Sequence, residues 1–226
     1  MVARELLHEL GEALLPQRCI ACGRFGASLH RACLEVLPAA GSPRCTRCWA
    51  PGPGSPCAAC LADPPPFEGL RAPYRFAGVA RRALLEAKFR GISAHLDPLG
   101  DAAAEVVPRR WPIDAVTPIP LHGSRRRRRG FNQSELIASR VAAALGLPLH
   151  ADLLRRVRAT GPQTALGRDR RASNVAGAFA AGGPPPAGVL LVDDVSTTGA
   201  TLAAAARTLL EGGARRVYAL AVARED

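Results

Sequence analysis

Cysteine placement is the strongest constraint on what this chain can fold into. All seven cysteines lie between positions 19 and 60, and they repeat one spacing: Cys19-x-x-Cys22, Cys45-x-x-Cys48 and Cys57-x-x-Cys60. His30-x-x-Cys33 completes a fourth pair. Two intervening residues let two side chains from one tight turn grip a single tetrahedral ion. Four pairs supply eight ligands, enough for two zinc ions. Consecutive pairing would put Cys19, Cys22, His30 and Cys33 around one ion, and Cys45, Cys48, Cys57 and Cys60 around the other. A cross-braced arrangement satisfies the same spacing. The odd cysteine count and the strict repetition oppose a disulfide framework. No open ligand position is visible, so the metal is expected to be structural and to replace a core this segment lacks.

The rest of the chain has a different texture. Hydrophobic residues make up 48% and aromatics only 4%, so a packed core must rest on Ala, Val and Leu. Residues 1–16 read as an amphipathic helix with Leu6, Leu7, Leu10 and Leu14 on one face. They lack the apolar run of a secretory signal, and no run of about 18 apolar residues suggests membrane insertion. Thiolates kept free for zinc point to the cytoplasm. The metal module occupies 17–62. Asp63-Pro64-Pro65-Pro66 starts a stiff Pro-rich linker over 63–69.

From residue 70 to 226 strands and helices alternate. Strands are expected at 71–76, 114–119, 153–157, 189–192 and 217–222. Helices are expected at 79–89, 99–107, 134–145 and 199–210. Wholly apolar strands in such an alternation predict an α/β domain with a parallel sheet covered on both faces. Ligands of such sheets sit at the carboxyl ends of strands.

That rule singles out Val189-Leu190-Leu191-Val192-Asp193-Asp194-Val195-Ser196-Thr197-Thr198-Gly199-Ala200-Thr201. Four apolar positions end in two adjacent carboxylates. A hydroxyl-rich turn with Gly199 then feeds a helix N-terminus, whose N–H groups and dipole favour phosphate. Thr197, Thr198 and Thr201 add hydroxyl donors, and the carboxylates suit sugar hydroxyls or hydrated magnesium. Phosphate at the turn with hydroxyls one step away matches a ribose 5-phosphate. The net charge is +11. Residues 125–171 alone hold 12 basic and 3 acidic groups, which points to a local anionic partner.

Residues 189–201 resemble the phosphoribosyl pyrophosphate (PRPP) signature of type I phosphoribosyltransferases. The whole chain from about residue 17 resembles the ComF family. The residues carrying that likeness are the paired knuckles, Leu84 to Gly91, Pro118-Ile119-Pro120-Leu121, Arg129-Gly130-Phe131-Asn132-Gln133, Thr160 to Asn174 and the signature itself. His30 departs from it, standing where relatives usually show Cys. The resemblance implies a double zinc-ribbon module joined to a parallel-sheet phosphoribosyltransferase-like domain. It implies that Asp193 and Asp194 bind the ribose hydroxyls and help place magnesium, and that Thr197, Thr198, Gly199, Ala200 and Thr201 bind the 5-phosphate. The loop from Pro118 through Pro120 and Leu121 to Arg129 would hold pyrophosphate, with Arg125 and Arg129 as donors. Gln163, Arg168 and Arg171 would belong to a loop closing over the reacting centre, and Lys88 is a further ligand candidate. The implied chemistry is magnesium-dependent displacement of pyrophosphate from PRPP, a pentosyl transfer to an unnamed acceptor, linked to DNA uptake. The alternative is a non-catalytic PRPP- or nucleotide-sensing module whose basic stretch engages DNA or a DNA-handling protein.

Overall fold

The computed structural model describes residues 17–158, Val175 and 177–226. The expected helix over 1–16 therefore lies outside the described residues. The fold is built on the apolar run that ends in the two carboxylates. Val189, Leu190, Leu191 and Val192 are each 0% exposed and lie in β6 (Gly188–Ser196). Their side chains alternate between two cores. Leu190 and Val192 join one cluster, Val189 and Leu191 the other. A strand apolar at every position must be covered on both faces, and this one is.

The sheet is parallel. Its order is β1-β7-β6-β3, with β1 (Leu70–Arg71), β3 (Ala115–Pro118) and β7 (Arg216–Arg224). The edge strand expected at 71–76 is two short pieces. β1 and β2 (Tyr74–Arg75) both pair with β7 and are separated by Ala72-Pro73. Pro73 has no N–H to give the ladder, which explains the break. On one face lie α3 (Gly78–Arg90), α4 (Leu96–Glu105) and α6 (Gln133–Leu145). The other face carries α7 (Ala200–Glu211), against which β4 (Leu154–Arg156) and β5 (Phe179–Ala181) pack. The strand expected at 153–157 is β4, but it is not part of the parallel sheet. It pairs antiparallel with β5 in a separate ribbon, a partner whose three residues carried too little periodicity to be read.

The cysteine-rich module contributes α1 (Arg31–Leu34) and α2 (Ala58–Ala62). Side-chain contacts fasten it to the sheet, beside backbone bonds from Arg75 N–H to Pro38 O at 2.7 Å and from Ala40 N–H to Pro73 O at 2.8 Å. Arg44 makes a bidentate pair with Asp226, at 2.8 and 2.7 Å. Arg71 of β1 donates to Thr46 O at 2.8 Å. The Trp49 indole N–H donates to Ala72 O at 2.8 Å. The Arg71 guanidinium lies 4.5 Å from the Trp49 ring centroid and 5.1 Å from that of Trp111. Trp111 in turn stacks on Tyr218 at 4.5 Å. Trp49 adopts φ 61°, a left-handed conformation costing about 1 kcal/mol or more for a bulky residue. A buried cation–π contact and an indole hydrogen bond, about 1–2 kcal/mol each, outweigh it. Within the stretch expected as a linker, Phe67 is buried and Glu68 N–H donates to Val217 O at 2.9 Å. Pro65 O accepts from Arg47 Nη2 at 3.4 Å, so the spacer is tied at both ends.

The chain has two tryptophans, and both rest on Arg71. Arg71→Ala is therefore expected to red-shift the tryptophan emission and lower the melting temperature by several degrees. Arg71→Lys should recover little, because an ammonium does not stack between two indoles. Unchanged emission in Arg71→Ala would contradict this account of the docking.

Candidate functional site

The metal clusters assemble from local turns. In the first knuckle Gly23 N–H donates to Cys19 O and Cys19 N–H to Arg24 O, both at 2.8 Å. In the second, Trp49 N–H donates to Cys45 O at 2.8 Å and Cys45 N–H to Ala50 O at 2.9 Å. Gly23 at φ 73° and Trp49 at φ 61° hold the same position of the turn. The remaining pairs each open a helical turn: His30 is the N-cap of α1 and Cys57 the N-cap of α2.

Folding brings the ligand atoms into two sets, each within 4.8 Å: Cys19, Cys22, His30 and Cys33, and Cys45, Cys48, Cys57 and Cys60. The pairing is thus consecutive, not cross-braced. Cys48 Sγ and Cys57 Sγ are 3.7 Å apart. Two thiolates on one tetrahedral zinc stand about 3.8 Å apart, given bonds of about 2.3 Å; a disulfide requires about 2.05 Å. All seven cysteines are free. His30 Nδ1 lies 3.4 Å from Cys22 Sγ, and its Nε2 lies 3.2 Å from Phe25 O. That second contact fixes the ring with Nδ1 toward the cluster, as an outer partner of a metal-binding histidine does. Burial opposes ionisation of Cys19 and Cys45, but surrounding backbone N–H groups outweigh it and hold both thiols down at about 6. Each set therefore already favours one thiolate, the form a zinc ion takes, and both sets fit zinc.

The carboxylates sit where the sheet opens. β3 pairs with β6 only as far as Pro118↔Val192, whereas β7 follows β6 to Ser196↔Arg224. From Asp193 onward one side of β6 is released from the sheet. The strand runs four residues beyond the expected end at Val192, so Asp193 and Asp194 lie within it. Asp193 Oδ1 accepts from Ser134 Oγ at 2.8 Å and from Asp194 N–H at 2.9 Å. Asp194 Oδ1 accepts from Val195 N–H at 2.8 Å. Burial, then the charge of Asp194, pushes the Asp193 carboxyl up to about 8. Thr197, Thr198, Gly199, Ala200 and Thr201 follow directly. Gly199, at φ 79°, turns the chain into α7, and Ala200 N–H reaches Thr198 Oγ1 at 3.4 Å. A side chain at 199 would strain that turn.

The segment expected as one loop from 118 to 129 is a loop only to His122. Residues Gly123–Arg129 form α5, capped by the His122 side chain accepting from Ser124 N–H. The helical turn sorts the arginines. Arg125 and Arg129, four apart, are half-buried, while Arg126, Arg127 and Arg128 are exposed. Burial depresses the Arg129 guanidinium while the Asp194 charge opposes this, which sets Arg129 in the field of the acidic pair. Pro120 and Leu121 line the same strand end, half-buried. Lys88 is not gathered in: it is exposed, its ammonium 5.5 Å from the Phe89 ring centroid. Gln163, Arg168 and Arg171 lie outside the described residues.

One basic residue escaped sequence reasoning. Arg156 of β4 is depressed by burial and by Arg125, and the Asp193 charge opposes both. Its guanidinium lies 5.4 Å from the Phe179 ring centroid. No spacing marked it, because β4 reaches the site only through its pairing with β5. The arrangement can hold a doubly anionic ligand between α5, β4 and the turn into α7, with the carboxylates accepting hydroxyl protons between them.

The chain is 32% identical over 176 residues to the DNA utilization protein YhgH of Salmonella typhi, covering 73% of this chain and 78% of that protein. It is 33% identical over 67 residues to competence protein F of Haemophilus influenzae, covering 30% of this chain and 29% of that one. No family model matches. Among solved structures, the glutamine PRPP amidotransferase of B. subtilis overlaps 56% of this chain and 26% of its own, with a TM-score of 0.39 and 24% identity. The orotate phosphoribosyltransferase of Aeropyrum pernix overlaps 64% of this chain and 76% of its own, with a TM-score of 0.33 and 20% identity. Among the described residues no helix is long and apolar enough to cross a membrane.

Metal analysis of the purified protein is expected to return two zinc ions per chain, falling to one in Cys45→Ser and in Cys19→Ser. The elevated Asp193 carboxyl also has a consequence. Its stabilising effect is complete below the ordinary carboxylate range, about 4, and is lost as pH rises through about 8. Without ligand, Asp193→Asn should therefore flatten the fall in denaturant stability between pH 5 and 8.5, and be the more stable protein at the upper end.

Proposed function

Because the chain belongs to the ComF family, as the length of its match to YhgH requires, we propose that it binds PRPP and transfers the phosphoribosyl group, releasing pyrophosphate. The observation that carries this is the Asp193–Asp194 pair at the open end of β6, followed at once by the Gly199 turn into α7. The 5-phosphate would lie against residues 197–201, where N–H groups and hydroxyls donate to it. The ribose hydroxyls would donate to Asp193 and Asp194. Pyrophosphate would lie along Pro120 and Leu121, with Arg125 and Arg129 donating. The carboxylates are hard oxygen donors that suit hydrated magnesium, which when bound neutralises charge on the departing pyrophosphate. The bond from C1 to the pyrophosphate oxygen breaks, and a lone pair of the acceptor forms the new bond. The residues supply position and charge, and no covalent nucleophile is needed.

The cysteine-rich module is read as a structural two-zinc ribbon in a cytoplasmic protein. The names of the relatives support a place in DNA uptake. Arg126, Arg127 and Arg128 are exposed, with Arg126 paired to Glu135 at 3.2 Å, and the exposed Arg127 and Arg128 favour an anionic partner there, DNA or a DNA-handling protein.

Calorimetry of PRPP with magnesium is expected to show binding by the wild type. Asp193→Ala/Asp194→Ala should weaken it about 100-fold, the loss of two hydrogen bonds at about 1.5 kcal/mol each. No binding by the folded, zinc-loaded wild type would overturn the proposal. Binding without pyrophosphate release from any acceptor would leave the non-catalytic reading, in which PRPP is a regulatory ligand.

A further inference from the structure

The first turn of α6 contains three buried polar side chains in succession. Asn132, Gln133 and Ser134 are 4%, 1% and 4% exposed. Burying polar side chains is unfavourable unless each meets a partner, and each of these reaches a different element. Asn132 Nδ2 donates to Ile119 O at 3.0 Å, while its buried Oδ1 meets no hydrogen-bond partner among the described residues. Gln133 Nε2 donates to Leu84 O of α3 at 3.0 Å, and its Oε1 accepts from Arg129 Nη1 at 2.6 Å. Ser134 Oγ donates to Asp193 Oδ1 at 2.8 Å.

Asn132 is the N-cap residue of α6, and asparagine there ordinarily accepts from an N–H of the first turn. Here the side chain makes no capping bond. It is turned instead to β3, where Ile119 N–H also donates to Val192 O at 2.9 Å. That is the point at which β3 leaves β6 and the loop through Pro120 and Leu121 begins. Ser134, one half-turn on, fastens the other strand end at its carboxylate. Gln133 between them anchors the turn to α3 and α5.

We propose that this turn divides the positioning of the site in two. Ser134 is the positioning residue for the carboxylate that takes the ribose. Asn132 is the positioning residue for the strand end whose loop takes the pyrophosphate. The division rests on the PRPP reading above. Neither side chain is assigned contact with the ligand; each acts through the group it holds.

Ribose 5-phosphate separates the two roles, because it carries the ribose and 5-phosphate but no pyrophosphate. Ser134→Ala is expected to weaken PRPP and ribose 5-phosphate by the same factor, about 5-fold for one hydrogen bond. Ser134→Thr, which keeps a hydroxyl, should bind both as the wild type does. Asn132→Ala should weaken PRPP about 5-fold and leave ribose 5-phosphate unchanged. Asn132→Leu removes the donor at similar volume without adding a charge and should behave likewise if the alanine variant does not fold. Melting temperatures are read alongside, since general loosening would weaken both ligands in every variant. Wild-type affinity in Ser134→Ala, or parallel loss of both ligands in the Asn132 variants, overturns this division while leaving the PRPP reading intact. Failure of the wild type to bind either ligand overturns both.

Discussion

A strand that is apolar at four successive positions cannot leave either face in water, and that requirement organises the rest of this protein. β6 alternates its side chains between two cores, one under α3, α4 and α6 and the other under α7 with the β4–β5 ribbon. Both cores exist because both faces of β6 need cover. The same strand carries the acidic pair past the end of its pairing with β3. Burial of Val189 to Val192 thus places Asp193 and Asp194 where β6 has lost its β3 neighbour and one side of the strand is open.

The cysteine-rich module follows another logic. Its described residues contain short turns and two helices of four and five residues, too little to form a core of its own. In place of a core it has two sets of four side chains whose ligand atoms converge closely enough to hold an ion each. The module then docks on the sheet edge through directed contacts: the Arg44–Asp226 pair and the Arg71 guanidinium held between two indoles. Trp49 links the two logics. It occupies the strained position of a knuckle and sends its indole onto β1. The local geometry of a ligand set is thereby coupled to the β1 edge of the sheet, two strands away from β6.

At the site, charge is arranged by burial and helical phase. The arginine run of α5 is uniform in sequence, yet its helix half-buries Arg125 and Arg129, Arg129 in the field of Asp194, and leaves the three between them exposed. Opposed charges in one crevice hold each other where either alone would be costly to bury. Burial and charge thus gather Arg129 and Arg156 about the acidic pair, with Arg125 beside them, and it is on this pattern that the proposed PRPP site rests.

What the sequence determines by itself is local. The spacing of the cysteines specifies four metal-gripping turns because each pair lies within one turn of chain. The run from Val189 to Thr201 specifies strand, acidic pair and the glycine turn into a helix because all three are consecutive. Alternating apolar segments specify a parallel sheet. The tertiary structure decided everything that joins residues distant in the chain. It paired the ligand sets consecutively, broke the edge strand at Pro73, and moved β4 into a separate ribbon that brings Arg156 to the site. It also left Lys88 on the surface and turned Asn132 from helix cap to strand clasp. Periodicity and spacing report what a residue's neighbours along the chain require. The partners of Arg71, Ser134 and Asn132 are set by which surfaces meet when the apolar strands are buried, and no local pattern encodes that.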